Sequence, residues 1–260
     1  MTPVNFRLAA VGLVLGVVAL SITTAPVAQA QSADVDPSAT KILKKMTDYL
    51  GQLKAFSLDT DNIIEDVQGV DQKIQYDFTA SVVIQRPNRL RAERTGDLFK
   101  QLLLYNGKSL TIYNPDDNYY AESAAPDNID DLLHFARETL DIVPPTGDIV
   151  FTDAYELLTA NITSAKVIGK SLVDGVRCIH LAFTSHYVDW QIWIADGDQP
   201  LPYKYVLTTK DDPAYPQYIV FMSNWNTNPN VKDSLFDFNP PKEAKKIEFL
   251  SFDTGETMMR

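Results

Sequence analysis

Only one cysteine, Cys178, occurs among the 260 residues, so no disulfide closes within the chain and stability rests on core packing. Basic residues are scarce: 23 Lys and Arg stand against 34 Asp and Glu, a formal net charge of −11. A surface of that sign repels phosphate backbones, which excludes nucleic acid as a partner and disfavours adsorption to anionic lipid headgroups. Long apolar runs are lacking too, with the single exception of Leu8–Ile22. Nothing after it approaches the length of a transmembrane helix. The sequence signatures of common catalysts are missing: there is no G-x-S-x-G, no H-E-x-x-H and no Walker sequence.

The one apolar run has a recognisable setting. Arg7 precedes it, and Ala28 and Ala30 flank Gln29 after it. A cation, a short apolar stretch and an A-x-A site make residues 1–30 a secretory signal peptide, cleaved after Ala30. Gln31 follows, so no lipid-anchor cysteine stands at the expected mature terminus. The mature chain is then 230 residues with 22 basic and 34 acidic side chains, a net charge of −12, exported to the periplasm or beyond. That length supports one sizeable core.

After a polar leader at 31–37, the apolar residues Ile42, Leu43, Met46, Tyr49, Leu50 and Leu53 recur at helical spacing over 38–53. The period then drops to two. Phe78, Ala80, Val82 and Ile84 alternate with more polar neighbours, as do Leu90 and Ala92. Further strands are expected at 56–68, 98–105, 108–114, 164–172, 176–185, 187–195, 202–209 and 217–226. Turn signals separate them: Asn106-Gly107, Asp174-Gly175, Asp196-Gly197 and Asp212-Pro213. Strands in succession with short turns define an antiparallel sheet rather than βαβ units.

The stretch LLLYNGKSLTIYNPDDNYY, Leu102–Tyr120, is read as a hairpin of that sheet. Leu102 and Leu104 share a face of its first strand, and Leu110 and Ile112 share a face of its second. Residues 127–160 break the strand pattern. Asn128 is placed to cap a helix bearing Asp130 and Asp131 in its first turn and Ile129, Leu132, Leu133, Ala136 and Leu140 on one side. Pro144-Pro145 ends that segment, and a short helix is expected from Thr152 with Tyr155, Leu158 and Ile162.

Three stretches carry a family resemblance: VIQRPNR (Val83–Arg89), YNGKSLTIYNP (Tyr105–Pro115) and SLFDFNPP (Ser234–Pro241). In this order they resemble the periplasmic lipoprotein-localisation factor superfamily. GVRCIHLAF (Gly175–Phe183), VDWQIWI (Val188–Ile194), PLPYKYV (Pro200–Val206) and FDFNPP (Phe236–Pro241) are similar to a family of bacterial predicted periplasmic proteins. The resemblance runs from about residue 40 to 250. It implies an α+β fold, an incomplete curved antiparallel β-barrel with helices across its concave side, in one domain over 38–250 followed by a tail at 251–260. In the localisation factor the space beneath the lid takes acyl chains, and an arginine before Pro-Asn fastens lid to barrel. Arg86 stands at that position.

The residues that could do chemistry have plainer structural accounts. Cys178 and His180 are two apart on a strand, about 6.5–7 Å between Cα atoms, too far for direct activation of a thiol. His180 and His186 flank a hairpin with Asp189 across it, an arrangement offering a His–Asp contact but no nucleophile. His134 sits at an ordinary helical position. Asp116-Asp117, Asp211-Asp212 and Asp196-x-Asp198 are turn acids without calcium-loop spacing. Among the aromatics, Trp190 shares a face with Val188, Ile192 and Ile194, and Tyr203 pairs with Tyr205, Phe221 with Trp225. Tyr113, Tyr119, Tyr120 and Tyr215 are candidates for a sugar-stacking rim.

The expectation is therefore a non-catalytic carrier, without cofactor or metal, for a hydrophobic small molecule or lipoprotein acyl chain. Its expected ligand-binding residues are Phe78, Val82, Ile84, Leu102, Leu104, Leu110, Ile112, Leu132, Leu133, Trp190 and Ile192, with Arg86 as lid latch. The alternatives are an envelope protein- or glycan-binding module with a filled barrel, and an envelope hydrolase.

Overall fold

Long stretches of alternating side chains favour long strands, because each pairs its backbone along its length while giving one face to the core. The computed structural model describes residues 34–69, 72–96, 99–140, 142 and 146–249. The expected signal peptide, the first residues of the leader and the tail lie outside the described residues.

The chain runs β1 (Asp34–Val35), α1 (Pro37–Gln52), β2 (Ala55–Gln68), β3 (Gln72–Gln85), β4 (Arg89–Gly96), β5 (Lys100–Tyr105), β6 (Ser109–Asn114) and β7 (Tyr119–Ala124). Then follow α2 (Ile129–Thr139), a 3-10 turn (Gly147–Ile149), α3 (Ala154–Thr159), β8 (Ile162–Val173), β9 (Val176–Ser185), β10 (Val188–Ala195), β11 (Pro202–Thr209) and β12 (Gln217–Asn226). A second 3-10 turn (Asp233–Leu235) and β13 (Lys245–Ile247) complete it.

Among the described residues, 13 strands form one open, curved sheet in the order β1-β8-β9-β10-β11-β12-β2-β3-β4-β5-β6-β7-β13. Pairing is antiparallel throughout except at the two edges, where β1 lies parallel to β8 and β13 parallel to β7. This is the incomplete barrel of the α+β class. The first long strand, β2, pairs with the last, β12, from Ser57–Asn226 to Ile64–Tyr218. That join places β7 and β8 at opposite sides of the sheet, so the segment carrying α2 and α3 has to cross its concave face.

Helix termini follow the local chemistry. The Asp36 carboxylate accepts the Ser38 amide at 2.7 Å and Pro37 opens α1, where its missing N–H costs nothing. Asn128 caps α2 by accepting the Asp131 amide at 2.8 Å, with Asp130 and Asp131 in the first turn. One core fills the space between helices and sheet: Leu43, Met46 and Leu50 of α1 and Ile129, Leu132 and Leu133 of α2 meet Phe56, Ile84, Leu90, Tyr105, Leu110, Ile192 and Val220. The Tyr105 ring is fully buried, and its hydroxyl donates to the Pro126 carbonyl at 2.5 Å; burial pushes its pKa up to about 12.

Register corrects several face assignments. Tyr105 opposes Leu110 and Leu103 opposes Ile112, so the inward residues of β5 are Tyr105 and Leu103. Leu102 and Leu104 point to the convex face instead, opposite Tyr113 and Thr111. Phe221 and Trp225 do not share a face: the register of β12 shifts between Ser223 and Asn226, where Asn224 has φ 51°. Trp225 thereby turns inward onto Phe56 at 5.8 Å, while Phe221 lies outside under Lys204. The short helix starts at Ala154 rather than Thr152, and Ile162 begins β8.

The convex face is covered near β5–β7 by the returning C-terminal segment. Phe236 is buried there, and Phe238 packs on Tyr113 and Tyr120 at 5.4 and 5.0 Å between ring centroids. Truncating the buried anchor in Phe236→Ala should cost about 3–5 kcal/mol in urea unfolding. A loss within about 0.5 kcal/mol would show that the segment is not part of the cooperative fold.

A candidate ligand site beneath the lid

Under α1 and α2 the interior is packed. Beside α3 a pocket of about 430 Å³ opens between lid and sheet. Leu157, Leu158, Asn161 and Asp148 form its lid side, with Ile162 at the start of β8. Its floor is Val188, Trp190, Tyr205, Leu207 and Tyr218, with Ser185 and Thr209 at the margin. The floor is stiff because Trp190 stacks on its cross-strand partner Phe183 at 3.8 Å and meets Tyr205 edge-on at 5.8 Å. A second pocket, about 510 Å³, lies between β5–β7, the end of α2 and β13, lined among others by Gln101, Ile112, Ala121, Leu140, Ile142, Ile247 and Phe249. Both fall in the range of roughly 300–1,000 Å³ usual for small-molecule sites.

Between these pockets the inward rows turn polar. Buried Asn62 donates through Nδ2 to Thr60 Oγ1 at 2.8 Å and to the Phe78 carbonyl at 3.1 Å. Its Oδ1 accepts the Tyr218 hydroxyl at 2.5 Å. Arg94, half-buried, donates from Nη2 to Gln101 Oε1 at 2.7 Å. Its guanidinium carbon lies 4.6 Å from the ring centroid of Phe99 and 5.6 Å from that of Phe78. Burial draws the Arg94 pKa below its ordinary value and raises that of Tyr218.

The residues expected from sequence distribute unevenly around this geometry. Trp190 lines the first pocket and Ile112 the second. Ile84, Leu110, Leu132, Leu133 and Ile192 are buried in the packed core. Phe78 and Val82 face inward and pack against that core, Phe78 in the polar belt 6.4 Å from Tyr218. Leu102 and Leu104 are on the convex side, where Leu104 borders a polar cleft beside Phe236–Asn239. Leu207, Tyr218, Leu157 and Arg94 were not among the expected residues. Arg94 had a sequence signal, since it follows Leu90 and Ala92 at period two on the apolar face.

Arg86 ties sheet to lid. Its Nη2 donates to the Val150 carbonyl at 2.5 Å, just past the 3-10 turn, and its backbone N–H donates to the Lys54 carbonyl beyond α1 at 2.8 Å. The neighbouring Pro87 carbonyl accepts the first amide of α2, from Ile129, at 2.9 Å. Burial lowers the Arg86 pKa, and nearby Asp130 opposes the shift. Asp130 also accepts the Thr152 amide at 3.1 Å and the Thr152 hydroxyl, and Arg137 pairs with Asp148 at 2.6 Å.

The groups considered for catalysis are otherwise engaged. His180 Nε2 bonds Gln191 Oε1 at 2.9 Å and the ring stacks on Trp193 at 3.9 Å. Asp189 pairs with Lys210 at 3.0 Å rather than with a histidine. His134 lies edge-on to Phe151, and His186 edge-on to Tyr187. Cys178 is fully buried, which pushes its thiol up to about 11. Among the described residues no group of three or more His, Cys, Asp or Glu could hold a metal ion, and no helix is long and apolar enough to cross a membrane. Of the tyrosines weighed as a rim, Tyr113 and Tyr120 are taken up by Phe238, whereas Tyr119 and Tyr215 are exposed.

An open half-barrel with a helical lid and apolar pockets beneath it is the class of molecule so defined. The predicted periplasmic protein family DUF2092 matches residues 39–250, and the chain belongs to this family. Among solved structures, an uncharacterized conserved protein from Thermus thermophilus is similar at 12% identity and TM-score 0.48, covering 81% of this chain and 99% of its own. Lipoprotein LppX from Mycobacterium tuberculosis is similar at 14% identity and TM-score 0.48, over 76% of this chain and 100% of its own. A LolA superfamily protein from Nitrosomonas europaea aligns at 14% identity and TM-score 0.34, over 77% and 97%. No curated protein matches the sequence.

Arg86→Leu leaves the Val150 carbonyl without its donor, at a cost of about 1–3 kcal/mol. Hydrogen exchange should rise by about tenfold over residues 146–159 while the sheet stays protected; unchanged exchange there would mean the bond does not hold the lid. Cys178 should resist a thiol reagent at pH 8 in the native state and react on unfolding. Because its pKa is raised on folding, the stability it contributes below its ordinary value of 9.0 should be lost as pH rises through about 11.

Proposed function

We propose that this periplasmic protein is a non-catalytic carrier for a hydrophobic ligand, a lipid or a lipoprotein acyl chain. The observation that carries the reading is the pocket of about 430 Å³ walled by Trp190, Tyr205, Leu207 and Tyr218 and roofed by Leu157 and Leu158. Leu157 and Leu158 give the lid side its apolar surface, beside Asp148 and Asn161. Arg86 serves as the latch, fixing Val150 just past the 3-10 turn that carries Asp148 of the pocket's lid side.

A protein-binding module is the second reading. It is favoured by β8, whose edge is paired by β1 only at Ser164 and Ala165, and beyond which Val167, Ile168 and Leu172 stand exposed.

The test is native mass spectrometry of the protein secreted in a bacterial host and purified without detergent, with uptake of a fluorescent fatty acid measured alongside. A co-purifying mass of lipid size, lost on unfolding, or saturable uptake is expected. Leu207→Trp, which fills the pocket floor, should reduce uptake at least tenfold while the thermal transition stays cooperative. A bare polypeptide mass together with no uptake would overturn the carrier reading.

A further inference from the structure

Arg94 occupies an inward position in the cross-strand row Gln101–Arg94–Ala80–Thr60–Met222, in which every other side chain is uncharged. A guanidinium cannot shed its proton in a protein, so it stays cationic there. A cation withdrawn from water is costly unless an anion or several acceptors meet it. Here one Nη2 bond to Gln101 and two ring faces are what meet it, and none of these cancels a charge. Among the described residues no carboxylate pairs with it. Among the described residues, Gln101 is the acceptor that meets its donors.

Its location gives those donors a use. Gln101, which holds it, lines the 510 Å³ pocket. Tyr218, close enough to feel its charge, lines the 430 Å³ pocket. A fixed cation between two apolar pockets matches an amphiphile with an anionic end and a hydrocarbon body. The protein's net charge of −11 repels anions in general, so recognition of one has to be local and internal.

We propose that Arg94 is the headgroup-binding residue of the ligand site, accepting the carboxylate or phosphate of an anionic amphiphile whose chain lies beneath the lid. The proposal rests on the carrier reading and narrows it to anionic lipids. Gln101 is the positioning residue that aims the guanidinium, and Phe78 and Phe99 hold its plane.

The test is binding of palmitate, hexadecyl phosphate and hexadecanol to the full chain, by calorimetry or displacement of a neutral fluorescent probe. The wild type should prefer one or both anions over the alcohol by about tenfold or more, and which anion is tighter identifies the headgroup. Arg94→Gln should abolish that preference and leave hexadecanol affinity unchanged, which also shows the variant is folded. Arg94→Lys should retain a reduced preference, because charge survives but the planar fork does not. Equal affinity for all three probes in the wild type would overturn the proposal and leave the carrier reading standing. Failure to bind any of them would overturn both.

Discussion

The pairing of β12 with β2 is the constraint from which the rest follows. It joins the first long strand of the chain to the last and so makes one sheet out of two antiparallel runs. The strands consecutive in sequence at the middle of the chain, β7 and β8, are thereby sent to opposite margins. Whatever links them must span the sheet, and apolar side chains on one face require that span to lie on the concave side. The lid is a topological necessity before it is a functional part. Its helices need only an apolar stripe to settle there, and α1 and α2 both have one.

The lid is also heterogeneous in how it is held. Under α1 and α2 the contact is core packing, with Leu43, Met46, Ile129 and Leu132 almost wholly removed from water. Around the 3-10 turn and α3, buried Ile149, Phe151, Ala154 and Leu158 join that core and polar bonds are added to it: Arg86 on Val150, Asp130 on Thr152, Arg137 on Asp148. Partly exposed bonds of this kind contribute far less than buried apolar area and open at lower free energy. The pocket lies under the second region.

Much of the fold was legible because alternation fixes which residues of one strand share a face. The strands at 176–185, 202–209 and 217–226, the Asn128 cap and the crossing segment all follow from local pattern. Alternation does not fix the phase between strands. Leu102 and Leu104 were grouped with Leu110 and Ile112, yet the hairpin register sets them on opposite faces. Asn224 at positive φ, a residue other than glycine, shifts β12 and turns Trp225 inward with no warning in the sequence. β7 went unrecognised because Tyr119–Ala124 carries two adjacent tyrosines and a run of small and acidic residues rather than an alternating pattern. The pockets were less legible still. A cavity is a failure of side chains to meet, and that depends on distances between elements far apart in sequence.

Both margins of the sheet are guarded by pieces from the ends of the chain: β1 beside β8, and β13 beside β7. An unguarded margin is a template for another copy's strand. Without residues 245–247 the edge of β7 is bare, and without Phe238 the aromatic pair Tyr113 and Tyr120 is uncovered. A chain cut short of β13 offers β7 to strand addition. The C-terminal segment acts as a seal on folding, and its loss by proteolysis or premature termination converts a self-contained sheet into one that can be extended by its neighbours.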